Sequence, residues 1–351
     1  MSITISGAGI SGLSAAIKLA KNGHEVTVFE KESDCGKRFL GDLQGIENWS
    51  SDVDALDDIR KMGIKTDFNS TSFDKIVFTN AKDDIALKFK NPFFYLVKRG
   101  VMKDSLDQAF KKQALDAGVK IKFKSQNDSK IIAHGPTPRK IFALDKGIVF
   151  STNMENMAVV LAHKDYSYKG YSYMLVANGY ACICSVVFLD ISRAAKCLDK
   201  TIEFFTKKYG IDIKKPTHVG GTGNFFIGNN FERDGKIYVG EAAGIQDMLW
   251  GFGIRSSIKS GWLAAKSIIE DKSYKYAAEN AFMDYMKASV VNRYLWEKFE
   301  RGNYDFIYKK LKKSKDPLKL FQQLYSFDIK HRILYHMAKR SLKREMPELQ
   351  I

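Results

Sequence analysis

Ile3-Thr-Ile-Ser6, then Gly7-Ala8-Gly9-Ile10-Ser11-Gly12, then Leu13-Ser-Ala-Ala-Ile-Lys-Leu-Ala-Lys21, then Glu25-Val-Thr-Val-Phe-Glu30: the order of these four runs decides the fold. The first is a short β-rich run. The third has helical apolar spacing and stops at Asn22-Gly23, and the fourth is a second strand closing on an acid. Strand, glycine turn, helix, strand and acid describe a dinucleotide-binding unit. Each glycine has a task in it: a tight turn, close approach of backbone amides to a pyrophosphate, and close helix-to-strand packing, with the phosphates at the positive end of the helix. Glu30 stands 18 residues after Gly12, where a carboxylate can accept from an adenosine ribose 2′-hydroxyl and would repel a 2′-phosphate. The site therefore favours FAD or NAD over NADP.

Working outward, 351 residues are enough for two or three domains. A content of 45% hydrophobic and 27% charged residues excludes disorder over most of the length. With 56 Lys and Arg against 40 Asp and Glu, the net charge of +16 points to an anionic partner: nucleic acid, a phosphorylated metabolite or a lipid surface. Cys35, Cys182, Cys184 and Cys197 contain no CxxC pair and make no disulfide scaffold. A reducing cytoplasm is the expected location, since the chain enters a strand directly without the pattern of a secretory signal. Gly170 to Leu189 carries no charged side chain over about the length that a bilayer needs. Asn178-Gly179 splits it into two β-like runs, however, so a buried hairpin is expected there instead of a membrane span.

Asp34 to Trp49 is rich in Gly, Asp and Arg without clear periodicity and reads as a long loop, followed by a helix around 53–62. Phe73–Thr79 and Ile85–Lys90 alternate and form a hairpin; 93–97 is a strand, 103–117 a helix and 119–124 a strand. Short β-like runs dominate 141–190, a helix follows over 192–209, and everything beyond Asp271 reads as helices. The expected class is α/β: a Rossmann-type domain from 1–70, 93–140 and 220–270, an inserted antiparallel β-sheet substrate domain from 71–92 and 141–219, and a helical C-terminal region over 271–351.

One stretch extends the reading: Lys236-Ile-Tyr-Val-Gly240-Glu241-Ala-Ala-Gly244, then Trp250-Gly251-Phe-Gly253-Ile254-Arg, then Ser260-Gly-Trp-Leu-Ala-Ala265. It resembles the second flavin-binding motif of glutathione-reductase-type flavoproteins related to p-hydroxybenzoate hydroxylase, and within them the geranylgeranyl reductases. Arg99 with Leu106, and Gly170-Tyr171-Ser-Tyr173-Met174, resemble two further segments of that family. The resemblance implies FAD as cofactor, held by the loop Gly7 to Gly12 and by Glu30, Lys31, Arg38, Arg99, Glu241, Gly253 and Ile254. It places Tyr171, Tyr173 and Trp250 beside a hydrophobic substrate. The chemistry implied is hydride transfer from reduced flavin to carbon–carbon double bonds of an isoprenoid or lipid-like compound; the electron donor, NAD(P)H or reduced ferredoxin, is left open.

The departures bear on this reading. Glu241 replaces the family's usual Asp, Met248 its Pro and Lys103 its Asp. Ala133-His134-Gly135 stands where the hydroxylases have Ala-Asp-Gly, which weighs against a hydroxylase using NADPH in the usual way. The alternatives are a flavin monooxygenase or halogenase acting on an aromatic compound, and a flavin-binding protein with a non-redox role. No catalytic residue stands out. Cys35 has no adjacent base and is not assigned a role. Cys182 and Cys184 read as small buried hydrophobes, and no metal site is expected.

Gly220-Gly-Thr-Gly223 lacks the lysine of a P-loop and is expected to be a flexible active-site loop. Tyr166, Tyr168, Tyr171 and Tyr173 would line one face of a strand as an aromatic wall. Six lysines between Lys309 and Lys319, interleaved with aromatic residues, suit peripheral contact with an anionic membrane; no nucleic-acid recognition fold is apparent.

Overall fold

The computed structural model describes residues 2–136, 141–223, 225–227, 230–347, 349 and 351. The chain enters as the strand Ser2–Ser6, turns through the glycines into the helix Ile10–Ala20 and returns as the strand Glu25–Glu30. The two strands are parallel, Ser2 opposite Glu25 and Ser6 opposite Phe29. They form the middle of a six-stranded sheet in the order Glu232–Arg233, Lys236–Tyr238, Ile131–Ile132, Ser2–Ser6, Glu25–Glu30 and Lys120–Phe123. Only its outermost pair, at the Glu232 edge, is antiparallel. The helices Leu106–Asp116 and Ile254–Ile269 pack on the first helix. This is the Rossmann-type nucleotide domain that the opening residues predict.

A seven-stranded sheet lies beside it, in the order Thr217–Gly223, Ala143–Ser151, Tyr180–Phe188, Tyr171–Ala177, Met157–Leu161, Lys75–Thr79 and Asp84–Lys88. All neighbours are antiparallel except Met157–Leu161 and Lys75–Thr79. The charge-free run from Gly170 is its central hairpin, with Asn178 at φ +51° and Gly179 at φ +78° supplying the positive values a tight two-residue turn requires. The run lacks charge because both faces of the sheet are covered. Ile148, Val159, Met174 and Ile183 pack with Phe205 on the helix Ala194–Tyr209, while Ala143, Cys182, Cys184 and Phe188 join the larger core on the other side.

Two elements differ from the expectations. Within 34–49 the chain forms a strand, Leu40–Glu47, antiparallel to Phe94–Gly100, with Thr71–Phe73 completing a three-stranded sheet. Gly41 (φ +102°) lies in a bulged stretch of that strand, and the place of a Gly45 side chain is taken by the Phe252 ring, 2.6 Å from an added Cβ. Local propensity is poor, so the partners decide. Gly220–Gly223 likewise is no loop: it belongs to the edge strand Thr217–Gly223, where a Cβ on Gly220 would come 2.5 Å from the Asp145 carbonyl oxygen. That strand runs across the expected boundary at 220 and belongs wholly to the seven-stranded sheet. The expected boundary at 140 falls in 137–140, outside the described residues.

The C-terminal region consists of the helices Tyr274–Phe299, Asp305–Lys313, Pro317–Leu324 and Ile329–Glu345. Among the described residues, no helix is long and apolar enough to cross a membrane.

Candidate dinucleotide and substrate site

Two glycines of the first loop are required by the fold itself. Gly7 has φ +103°, and a Cβ on it would lie 2.3 Å from the Ala133 carbonyl oxygen; on Gly12 it would lie 2.1 Å from the Gly7 carbonyl oxygen. Gly9 is different. Its φ of −75° suits any residue, and an added Cβ meets nothing within 4 Å. No contact within the chain demands glycine there, so the open space fits a group that comes close to the backbone. The helix behind it has no side-chain cap and no acid in its first turn, and its first backward bond runs from Leu13 N–H to Gly9 at 2.9 Å. The amides ahead of Leu13 have no helical acceptor and form a site for an anion. Glu30 closes on the same loop, accepting from Ala8 N–H at 2.8 Å and from Glu32 N–H at 3.0 Å. Lys31 is exposed, 3.8 Å from Glu32.

The second motif meets the first across more than 200 residues of sequence. Gly240, at φ +61°, leaves room for Ser11 Oγ, 2.8 Å from an added Cβ, and its N–H donates to Ser260 Oγ at 2.9 Å. Ser14 Oγ donates to the Ile258 carbonyl at 2.7 Å. Glu241 follows in a short turn and pairs with both ends of the Arg38 guanidinium, at 3.0 and 3.3 Å. Arg38 is 48% and Glu241 21% exposed, so the pair stays within reach of a ligand. Gly251 (φ +73°) again has nothing within 4 Å of an added Cβ, and Gly253 nothing closer than 3.6 Å; Ile254 then opens an uncapped helix. The residues present fit a dinucleotide such as FAD: a cradle for the pyrophosphate at Gly9, a ribose acceptor at Glu30 and a second open backbone at Gly251–Gly253.

Arg99 lies behind this rim. It is buried, donates twice to Asp107 at 2.9 Å and once to Gln44 at 2.8 Å. Burial alone would raise the Asp107 carboxyl, but the Arg99 charge and hydrogen bonds outweigh it and hold the group below its ordinary range. The Phe39 ring sits between the two arginines, 4.5 Å from Arg38 and 4.2 Å from Arg99. Sequence reasoning missed Phe39, Gln44 and Asp107. The Arg99–Asp107 spacing crosses from a strand through a turn into a helix, so no periodicity reveals it.

Tyr171, Tyr173 and Trp250 come together, Tyr171 6.0 Å from Tyr173 and 5.0 Å from Trp250 between ring centres. The Tyr171 hydroxyl donates to the Trp250 carbonyl, and the Tyr173 hydroxyl to Asp145 Oδ2 at 3.0 Å. Tyr166 and Tyr168 do not join this wall; they precede the strand, Tyr166 against Phe204 and Tyr168 beneath Arg193. Sequence reasoning did not single out three acids: Glu47 and Asp247, which are buried, and Asp145, which is half-buried. Burial pushes Glu47 and Asp145 up to about 7 and Asp247 to about 6. Asp145 Oδ1, Glu47 Oε2 and the indole nitrogens of Trp49 and Trp250 are sealed from solvent with no hydrogen-bond partner. Burial also lifts the Cys35 thiol to about 12, which leaves it protonated and unsuited to nucleophilic work. His134 is exposed and lines a cavity of about 200 Å³ with Phe226, Tyr238 and Ala242, next to the Glu241 turn. Among the described residues no cluster of three His, Cys, Asp or Glu could hold a metal ion.

The sheet order, the glycine cradle and the acid define a Rossmann-type dinucleotide-binding domain joined to a mainly antiparallel sheet. Residues 5–41 match the family model described as an NAD(P)-binding Rossmann-like domain. The whole fold is similar to that of a geranylgeranyl bacteriochlorophyll reductase-like protein from Thermoplasma acidophilum, with a TM-score of 0.71 at 14% identity over 99% of this chain and 97% of that one. It is also similar to the flavin-dependent brominase Bmp2, with a TM-score of 0.67 at 15% identity over 99% and 100%. In sequence, a 4,4′-diapophytoene desaturase of Staphylococcus aureus is 53% identical over 38 residues, 11% of this chain and 8% of the desaturase. The match therefore spans under a tenth of that relative's length.

Proposed function

We propose that the chain binds FAD non-covalently and acts as an oxidoreductase on an apolar, lipid-like substrate, reducing carbon–carbon double bonds. The observation that carries this reading is Gly9, a glycine that no contact in the protein requires, at an uncapped helix start beside Glu30. When bound, FAD supplies hydride chemistry. The residues of the chain bind, orient and exclude water. Gly7 to Gly12 holds the pyrophosphate, Glu30 a ribose hydroxyl, and Glu241 with Arg38 the polyol stretch between. Arg99 and Asp107 brace Arg38 through Phe39. Tyr171, Tyr173 and Trp250 give the substrate an apolar wall whose hydroxyls are already engaged, which suits a substrate without polar groups to recognise. Fold likeness to the Thermoplasma protein supports the reductase reading.

Likeness to the brominase Bmp2 supports a second reading, oxygen-dependent chemistry on an aromatic compound. One experiment separates the two. The purified protein is examined for flavin absorbance, reduced with dithionite or NAD(P)H without oxygen, and offered an isoprenoid alkene. Product heavier by two hydrogens, formed without oxygen, supports the reductase reading. Turnover that consumes oxygen and leaves the alkene unchanged selects the second, and a protein that never takes up flavin ends both.

A further inference from the structure

The terminal helix Ile329–Glu345 has two apolar faces, and the fold covers only one. Leu334, Ala338 and Leu342 turn inward, where the helix packs on Tyr274–Phe299. Ile329, Ile333 and Met337 lie on the other side, 76%, 65% and 54% exposed. Spaced four residues apart, they form one row about 12 Å long, within roughly 80° of arc. A single exposed apolar residue is ordinary, but three in one row of one helix leave a continuous apolar strip.

The charge beside the strip has one sign. Arg340 and Arg344 are exposed on the same side in line with the row, and Lys330, Lys343 and Arg332 are exposed along its margins. The nearest acids are engaged elsewhere. Asp328 caps the helix by accepting from His331 N–H at 3.0 Å, and Glu345 pairs with Lys169.

We propose that this face docks the protein on an anionic lipid surface, with Ile329, Ile333 and Met337 entering the boundary between headgroups and acyl chains. A helix with an apolar row flanked by cations lies in the plane of that boundary, its apolar side about 5–10 Å deep. The Lys and Arg stems extend along the apolar row while their charged ends reach lipid phosphates. A second copy of the chain is a poor occupant, because the same face on a partner would set arginines against arginines with no acid to answer them. The lysines between Lys309 and Lys319 sit on two other helices, Asp305–Lys313 and Pro317–Leu324, and the connection between them. They attract at a distance, and the terminal helix inserts.

The test is co-sedimentation of the full chain with vesicles of phosphatidylglycerol and phosphatidylcholine, against phosphatidylcholine alone, at low and rising salt. Circular dichroism and sedimentation velocity are recorded for each variant. The parent binds only the anionic vesicles and is released by salt. Combined Ile329→Ser, Ile333→Ser and Met337→Ser keeps every charge yet weakens binding at least about tenfold. Combined Lys309→Gln, Lys310→Gln, Lys312→Gln and Lys313→Gln weakens it by about threefold or less, an effect confined to low salt. Met337→Lys adds a cation and still binds more weakly, which covers the case in which the triple variant fails to fold. Tighter binding by Met337→Lys overturns the proposal, as do equal binding by parent and triple variant, or a parent that ignores anionic vesicles at low salt. A parent dimer that the triple variant converts to monomer assigns the face to a second copy and overturns it as well.

Discussion

Gly261 lies against the backbone of Ser11: a Cβ added to it would come within 2.0 Å of the Ser11 carbonyl oxygen and 3.1 Å of Ala15 N. The helices Ile10–Ala20 and Ile254–Ile269 thus meet through a glycine, closely enough that Ser14 bonds to Ile258 across them. This contact fixes the first glycine loop relative to the Glu241 turn, so the two halves of the proposed cofactor cradle share one seam.

Gly261→Leu should therefore damage fold and cofactor site together. Overpacking of this kind costs about 1–3 kcal/mol or more where neither backbone can yield. The expected result is a melting temperature several degrees lower and a preparation depleted in flavin. Normal flavin content at full stability would show that the seam does not position the cradle.

Gly9 and Gly7 should respond differently. The Cβ of Gly9→Val meets no protein atom within 4 Å and its φ is permitted, so folding survives, with a melting temperature within a few degrees of the parent. Flavin affinity falls about tenfold or more, since 1.4 kcal/mol of lost contact suffices. Gly7→Val must tolerate φ +103° and a backbone clash, and its stability falls first. The check pairs thermal melts with titration of FAD into each apoprotein.

Glu241→Ala leaves the Arg38 guanidinium without its carboxylate and removes the acid at the strand end. Flavin occupancy after purification should fall at least about fivefold, about 1 kcal/mol at 1.4 kcal/mol per tenfold. Glu232→Ala is the control: Glu232 is exposed on a two-residue edge strand and accepts from Lys275 N–H at 3.0 Å, away from the cradle. Equal occupancy in the two variants would mean that the second motif does not hold the cofactor.

Asp145 sets a pH dependence. Burial raises its folded value to about 7, whereas an unfolded Asp titrates near 3.9, so its contribution to stability is fully present below about pH 4 and is lost as pH rises through 7. Glu47, lifted to about 7, and Asp247, to about 6, act in the same direction. Asp145→Asn keeps an acceptor for the Tyr173 hydroxyl and cannot ionise. It should melt a few degrees above the parent at pH 8 and level with it at pH 4. Melts that shift equally at both pH values would remove Asp145 from the explanation.

Within the first thirty residues local and global signals agree, and the structure follows the sequence closely. The hairpin at Asn178-Gly179 was legible for the same reason, because positive φ at two adjacent positions has few residue solutions. The strand Leu40–Glu47 was not legible. Its glycines serve a bulge and the Phe252 ring, which arrive from elsewhere in the chain. Gly220–Gly223 read as a loop because glycine is a poor strand former in isolation, and pairing with Ala143–Val149, which brings Gly220 against the Asp145 carbonyl, makes it a strand.

The sequence by itself determined the nucleotide unit with its closing acid and the hairpin that carries Tyr171 and Tyr173, because each rests on short-range geometry: a turn, a helix start or alternation along one strand. Only the tertiary structure decided what surrounds them. Glu241 found Arg38, Arg99 found Asp107, and Tyr173 found Asp145 through contacts that join separate elements. The exposed row Ile329, Ile333 and Met337 differs from the buried row of the same helix by nothing local. Both have helical spacing, and only packing on Tyr274–Phe299 removes one of them from water.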